Sequence, residues 1–221
     1  MLRRTSPVET YKYVDGVVEK FNAYAEQDIL PKLTTRTLTL PQITTGLRYI
    51  TTRELPEYES DVLELLTLHF TGKEVLPVYE DALRTADWYD LGPARLTRTL
   101  ASAIISKPHE QRDRLYEKRI VELGSPAGLA MLDMIKPHQK PAAKRRLINL
   151  IRKTTHIKKP EPVKTWTTAT EGELSALKAK WESLIDPVGE IREALEQPAK
   201  TPPTKIAPAP DEPSSVDQDE H

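Results

Sequence analysis

Nineteen prolines punctuate this 221-residue chain, and several follow directly on a Ser, Thr or Gly. Inside a helix, proline removes a hydrogen bond and clashes with the preceding turn. In a first helical turn its missing N–H costs nothing, because that group has no intrahelical partner. A chain divided this way favours many short helices over a few long ones. Ser6-Pro7-Val8-Glu9 reads as a capping box, and Val14, Val17, Val18, Phe21 and Ala25 follow at helical spacing, which predicts a helix over about 7–30.

The same logic repeats along the chain. Thr39-Leu40-Pro41-Gln42 opens a short second helix with Ile43, Leu47 and Ile50 as its stripe. Pro56 opens a third, carrying Tyr58, Val62, Leu65, Leu66 and Phe70 inward and ending at Gly72. A fourth runs from near Glu74 to Trp88, and Gly92-Pro93 restarts the chain towards Leu96, Leu100, Ala103 and Ile104. Ser106 to Gly124 reads as a charged helix, Ser125-Pro126 opens a small-residue helix ending near Ile135, and Pro141 begins a basic helix reaching about His156. Only residues 34–40 alternate like a strand, and with no partner in view they read as an extended connection. The expected fold is therefore all-α: a helical domain over 1–156, a bundle of short helices that ends in the basic helix.

Beyond it, 157–169 reads as a Pro-rich linker, 170–197 as a C-terminal amphipathic helical segment, and 198–221 as an acidic tail too poor in apolar residues to order itself. Cysteine is absent, which excludes disulfides and thiolate metal sites and is compatible with an intracellular location. No apolar run approaches the ~20 residues of a membrane span, and the N-terminus lacks the apolar core of a secretory signal, so the expectation is an intracellular protein.

Charge is sorted along the chain. Residues 134–160 hold nine Lys or Arg and no acid, whereas 161–221 hold 6 basic against 13 acidic residues, although the totals nearly balance at 32 and 33. A one-sided block repels itself unless an anion sits against it. On a helix over 141–156, Ala143, Leu147, Leu150 and Ile151 share one face, and Arg145, Arg146, Asn149, Arg152, Lys153 and His156 the other. Lys140 and Lys144 lie near its start, and Lys158 and Lys159 extend the charge past its end. Arg forks and Lys point charges suit phosphate, and Asn149 could pair with a base edge. The leading reading is a non-enzymatic nucleic-acid-binding protein that contacts phosphate through 140–159, with DNA and RNA left open. The rival readings are an acidic protein partner, the chain's own acidic tail, and a plainly solvated face; a membrane is disfavoured, because the apolar face has no Trp or Phe. The five-residue connection 136–140 lacks Gly and is long for a helix-turn-helix, which argues against that motif.

Leu174, Leu177, Trp181, Leu184, Val188, Ile191 and Leu195 alternate at spacings of three and four, a coiled-coil seam. It supports the alternative function, a helical adaptor or assembly subunit that docks a partner or self-associates through 170–197. Asp186-Pro187 interrupts the seam, and the favoured account has Asp186 capping a new helix with Pro187 at its first position, the two helices packing on the domain or on each other rather than forming one kinked helix that pairs with a partner. No metal, cofactor or catalytic motif stands out. The five histidines lack zincin spacing, the eight glycines are scattered, and His69 beside Phe70 reads as a satisfied core or boundary histidine.

Overall fold

The computed structural model describes residues 7–72, 75–157 and 161–196. Among them are eleven α-helices and no strand: α1 Pro7–Tyr24, α2 Leu40–Arg53, α3 Glu59–Thr67, α4 Val75–Trp88, α5 Pro93–Ser106, α6 Glu110–Leu123, α7 Ser125–Met134, α8 Pro141–Thr155, α9 Val163–Thr168, α10 Glu171–Ile185 and α11 Glu190–Glu196. The fold is an all-α bundle of short helices. Lys158, Lys159 and the acidic tail 198–221 lie outside the described residues.

Proline sets the starts as its chemistry requires. Pro41, Pro93, Pro126 and Pro141 occupy the first turns of α2, α5, α7 and α8. At α2 the expected capping box forms, with the Thr39 N–H donating to Gln42 Oε1 at 2.9 Å. Three boundaries differ from expectation. The first helix ends at Tyr24 and continues as a π-helical turn, Ala25–Ile29, and a 3-10 turn, Leu30–Lys32, since Pro31 has no N–H to extend the ladder. The third stops at Thr67 rather than Gly72. Beyond it the Tyr79 hydroxyl accepts from the Phe70 N–H and donates to the Leu68 carbonyl, replacing helical partners. The sixth begins at Glu110 because Pro108 holds Lys107 extended (φ −143°, ψ 109°), and His109 then caps the helix.

Helix α7 lies at the centre, touching α5, α6, α8, α10 and α11. Its residues from Ala127 to Leu132 are all buried. Small side chains there let α8 come close, and the tightest point is Gly128. A Cβ placed on Gly128 would fall well inside van der Waals contact of Thr155 Cγ2. Thr155 cannot easily turn away, since it is β-branched and its hydroxyl donates to the Ile151 carbonyl at 2.7 Å. Gly128→Ala is therefore expected to lower stability by about 1–3 kcal/mol despite its better helix propensity. Chemical denaturation should show Thr155→Ser, which removes the offending methyl, recovering most of that loss in the double variant.

Residues 157–169 are not simply a linker. They contain α9, which packs on α8 and buries Trp166 completely. Nor is the heptad over 170–197 an open seam. Leu174 and Trp181 are buried against the rest of the chain, Leu177, Ile191 and Leu195 are half-buried, and only Leu184 (52%) and Val188 (78%) face solvent. Helices α10 and α11 lie on α7 instead. The break at Asp186 is real: its carboxylate accepts from the backbone N–H groups of Gly189 (3.1 Å) and Arg192 (2.8 Å), capping α11. Pro187 precedes α11 rather than occupying its first turn. No helix among the described residues is long and apolar enough to cross a membrane.

Candidate nucleic-acid interface

Helix α8 is amphipathic as the spacing required. Leu147, Ile148, Leu150 and Ile151 are buried, and Arg145, Asn149, Lys153 and His156 are exposed. With its apolar face packed inside the bundle, α8 has none to offer a lipid surface.

The expected cations have different fates. Lys144 points inward. It is only 3% exposed, and its ammonium donates to the Pro137 carbonyl at 2.8 Å. Lys144, Leu147, Ile148 and Ile151 stand at i, i+3, i+4 and i+7, so Lys144 belongs to the apolar stripe and reaches out of it to the nearest carbonyl. It is withdrawn from the outward set.

Arg146 is half-buried and caps the end of α5, donating to the Ile104 carbonyl at 2.5 Å, with Asp113 at 3.9 Å. Arg152 donates to the Glu161 carbonyl at 2.6 Å and so ties α8 to the chain entering α9, while its Nε is buried without a partner. Lys153 pairs with Glu117 of α6 at 2.7 Å, across a surface where both remain partly solvated. Lys140 and Arg145 are exposed and make no ion pair with any described residue. The block that is acid-free in sequence is thus not acid-free in space, because α6 brings Asp113 and Glu117 beside it.

One groove gathers four of the expected residues. An open hollow of about 380 Å³ runs beside α8, lined by Ile104, Glu117, Arg146, Asn149, Leu150, Arg152 and Lys153. Ile104 and Leu150 supply apolar surface, the two arginines and the lysine supply charge, and the Asn149 amide can both donate and accept. Arg145 and Lys140 lie outside the groove's lining on the exposed side of α8 and its cap. Sequence reading could not have found Glu117 or Ile104, which reach the site only through the packing of α6 and α5 on α8.

The helix-turn-helix reading gains nothing from the packing. α7, its would-be first helix, is covered by α10 and α11 and has no free side with which to cross a nucleic-acid backbone. His69 also departs from expectation: its Nδ1 is buried with no hydrogen-bond partner. Among the described residues no group of His, Asp and Glu is arranged to hold a metal ion. Comparison with protein-family profiles, curated proteins and solved structures found no match to this chain.

Proposed function

We propose that this chain is a non-enzymatic, intracellular nucleic-acid-binding protein that grips phosphate backbone along α8. The observation that carries the reading is the groove in which Arg146, Asn149, Arg152 and Lys153 come together, with Arg145 and Lys140 exposed elsewhere on α8 and its cap. Bound phosphates would replace water and counterions around these cations, so the interaction is electrostatic and weakly sequence-dependent. Competition from Glu117 and Asp113 lowers the affinity without abolishing it, since exposed ion pairs contribute only about 0–1 kcal/mol.

The adaptor alternative is less well supported. Its seam is largely consumed by the chain's own packing, and Leu184 and Val188 alone fall far short of the ~800 Å² per partner of a stable interface.

Fluorescence anisotropy with labelled single-stranded and duplex oligonucleotides, over a salt series, tests the proposal. The expected plot of log affinity against log salt is linear, losing about 0.7–0.9 in slope for each phosphate contact removed. Lys140→Glu, Arg145→Glu and Lys153→Glu together should flatten that slope by roughly 2–3 and weaken binding at low salt at least ~100-fold. Arg152 is left intact because it holds the Glu161 carbonyl. Absence of wild-type binding to either oligonucleotide at low salt would sink the proposal.

A further inference from the structure

On another part of the bundle, the turn before α2, the chain after α3 and the end of α5 enclose a second hollow of about 380 Å³. Its polar lining is Arg36, Thr39, His69, Thr71 and Lys107, and its apolar lining is Leu38, Leu40, Leu68 and Phe70. No carboxylate lines it. Arg36 and Lys107 are exposed and make no ion pair with any described residue, so two cations share a concave site without a counter-charge. The first turn of α2 borders the same space and adds the positive end of a 14-residue helix.

His69 decides what the hollow presents. Burial, and then the nearby charge of Lys107, hold its pKa below the ordinary histidine value, which favours the neutral ring. A neutral imidazole has one donor nitrogen and one acceptor nitrogen. The buried, unpartnered atom is Nδ1. An orphaned buried N–H is rarer than an under-used acceptor, so the favoured tautomer carries its proton on Nε2. Arg36, Lys107 and His69 then bring three donor-bearing side chains to the lining of one space.

We propose that this hollow binds a small organic oxyanion, a phosphate monoester or a carboxylate, with its charged group on Arg36, Lys107 and His69 and its organic part on Leu40 and Phe70. The size suits a small ligand, at the lower end of the roughly 300–1,000 Å³ typical of such sites. The site shares no lining residue with the α8 groove, so either proposal can fail without the other.

Calorimetric titration of the full chain with phenyl phosphate, benzoate and inorganic phosphate tests it. The expected result is saturable binding of phenyl phosphate or benzoate, at least ~10-fold tighter than inorganic phosphate because of the apolar wall. Arg36→Gln with Lys107→Gln should weaken it by ~10-fold or more, since charge-assisted hydrogen bonds are lost, and both side chains are exposed enough for the fold to survive. His69→Phe should weaken it with the pair intact, and Arg145→Glu on α8 should leave it unchanged. Equal affinity in wild type and the Arg36/Lys107 double variant overturns the site, as does a lack of saturable binding below about 10 mM, the weak end of specific affinity. Inorganic phosphate binding as tightly as phenyl phosphate overturns the organic part of the assignment.

Discussion

Trp181→Ala is expected to destabilise the protein by about 3–5 kcal/mol, the range for removing a buried tryptophan. Trp181 is completely buried on α10, and its ring meets that of Trp166 on α9 edge to face, with centroids 4.6 Å apart. Such a pair adds about 0.5–1.5 kcal/mol beyond the area it buries. The indole N–H also donates to the Glu161 carboxylate, which Lys180 pairs from the other side. Truncating Trp181 therefore opens a cavity, strands Trp166 and leaves Glu161 with one partner fewer. Urea unfolding followed by circular dichroism measures the loss, and a change below about 1 kcal/mol would contradict it. Leu184→Ala, three residues on from Trp181 and half exposed, should cost under about 1 kcal/mol in the same assay. Acid should act on the same junction. Burial works to raise the Glu161 pKa, but the hydrogen bonds from Lys180 and Trp181 outweigh it and hold the carboxyl below its ordinary value. A depressed carboxylate contributes stability above its unfolded pKa of about 4.3 and loses it as pH falls through the folded value, so the wild type weakens below about pH 4 and Trp181→Ala flattens that dependence.

The contrast between Trp181 and Leu184 shows how the C-terminal seam is used. A three-four repeat reports that a helix has an apolar stripe; it does not say whether the surface that stripe meets belongs to another chain or to the same one. Periodicity and proline placement were sufficient for α2, α5, α7 and α8, whose starts follow from groups within three residues of each other. They were insufficient for α9, a six-residue helix that exists because Trp166 finds a buried place between α8 and α10. The outward face of α8 was legible for Arg145, Asn149 and Lys153. Lys144 was legible too, in the opposite sense, from its i, i+3, i+4, i+7 register with the apolar stripe. The neutralising carboxylates of α6 were not, because a charge count along the chain is blind to residues some thirty positions away that packing brings alongside. The hollow around His69 was equally hidden, since Arg36, His69 and Lys107 come from three separate segments.

Arg112 carries the second large expected effect, and its place in the core has no sequence signature beyond a charged helix. The side chain is fully buried. Its guanidinium donates to the carbonyls of Ala103 and Lys107 at the end of α5 and to the Asp113 carboxylate, while lying near the rings of Tyr79 and Tyr116, 5.9 and 5.8 Å from their centroids. One cation thus joins the C-terminal end of α5 to α6 and α4: it serves the Lys107 carbonyl and adds to the Ala103 carbonyl, which also accepts from the Lys107 N–H and the Ser106 hydroxyl. The same position explains its cost: Nη1 is buried and unpartnered, so the group is held by what surrounds it rather than fully solvated by it. Arg112→Ala removes the charge, takes the side-chain donor from the Lys107 carbonyl and leaves Ala103 and Asp113 with one partner fewer, and breaking a buried charged contact from one side costs about 3–5 kcal/mol. Arg112→Lys should recover less than half of that, because a single ammonium cannot reproduce the planar fork that reaches a carboxylate and two carbonyls at once. Urea unfolding of the two variants separates charge from geometry. Equal stability of Arg112→Lys and wild type would show that charge alone suffices, and a loss below about 1 kcal/mol for Arg112→Ala would remove Arg112 as the tie between these helices.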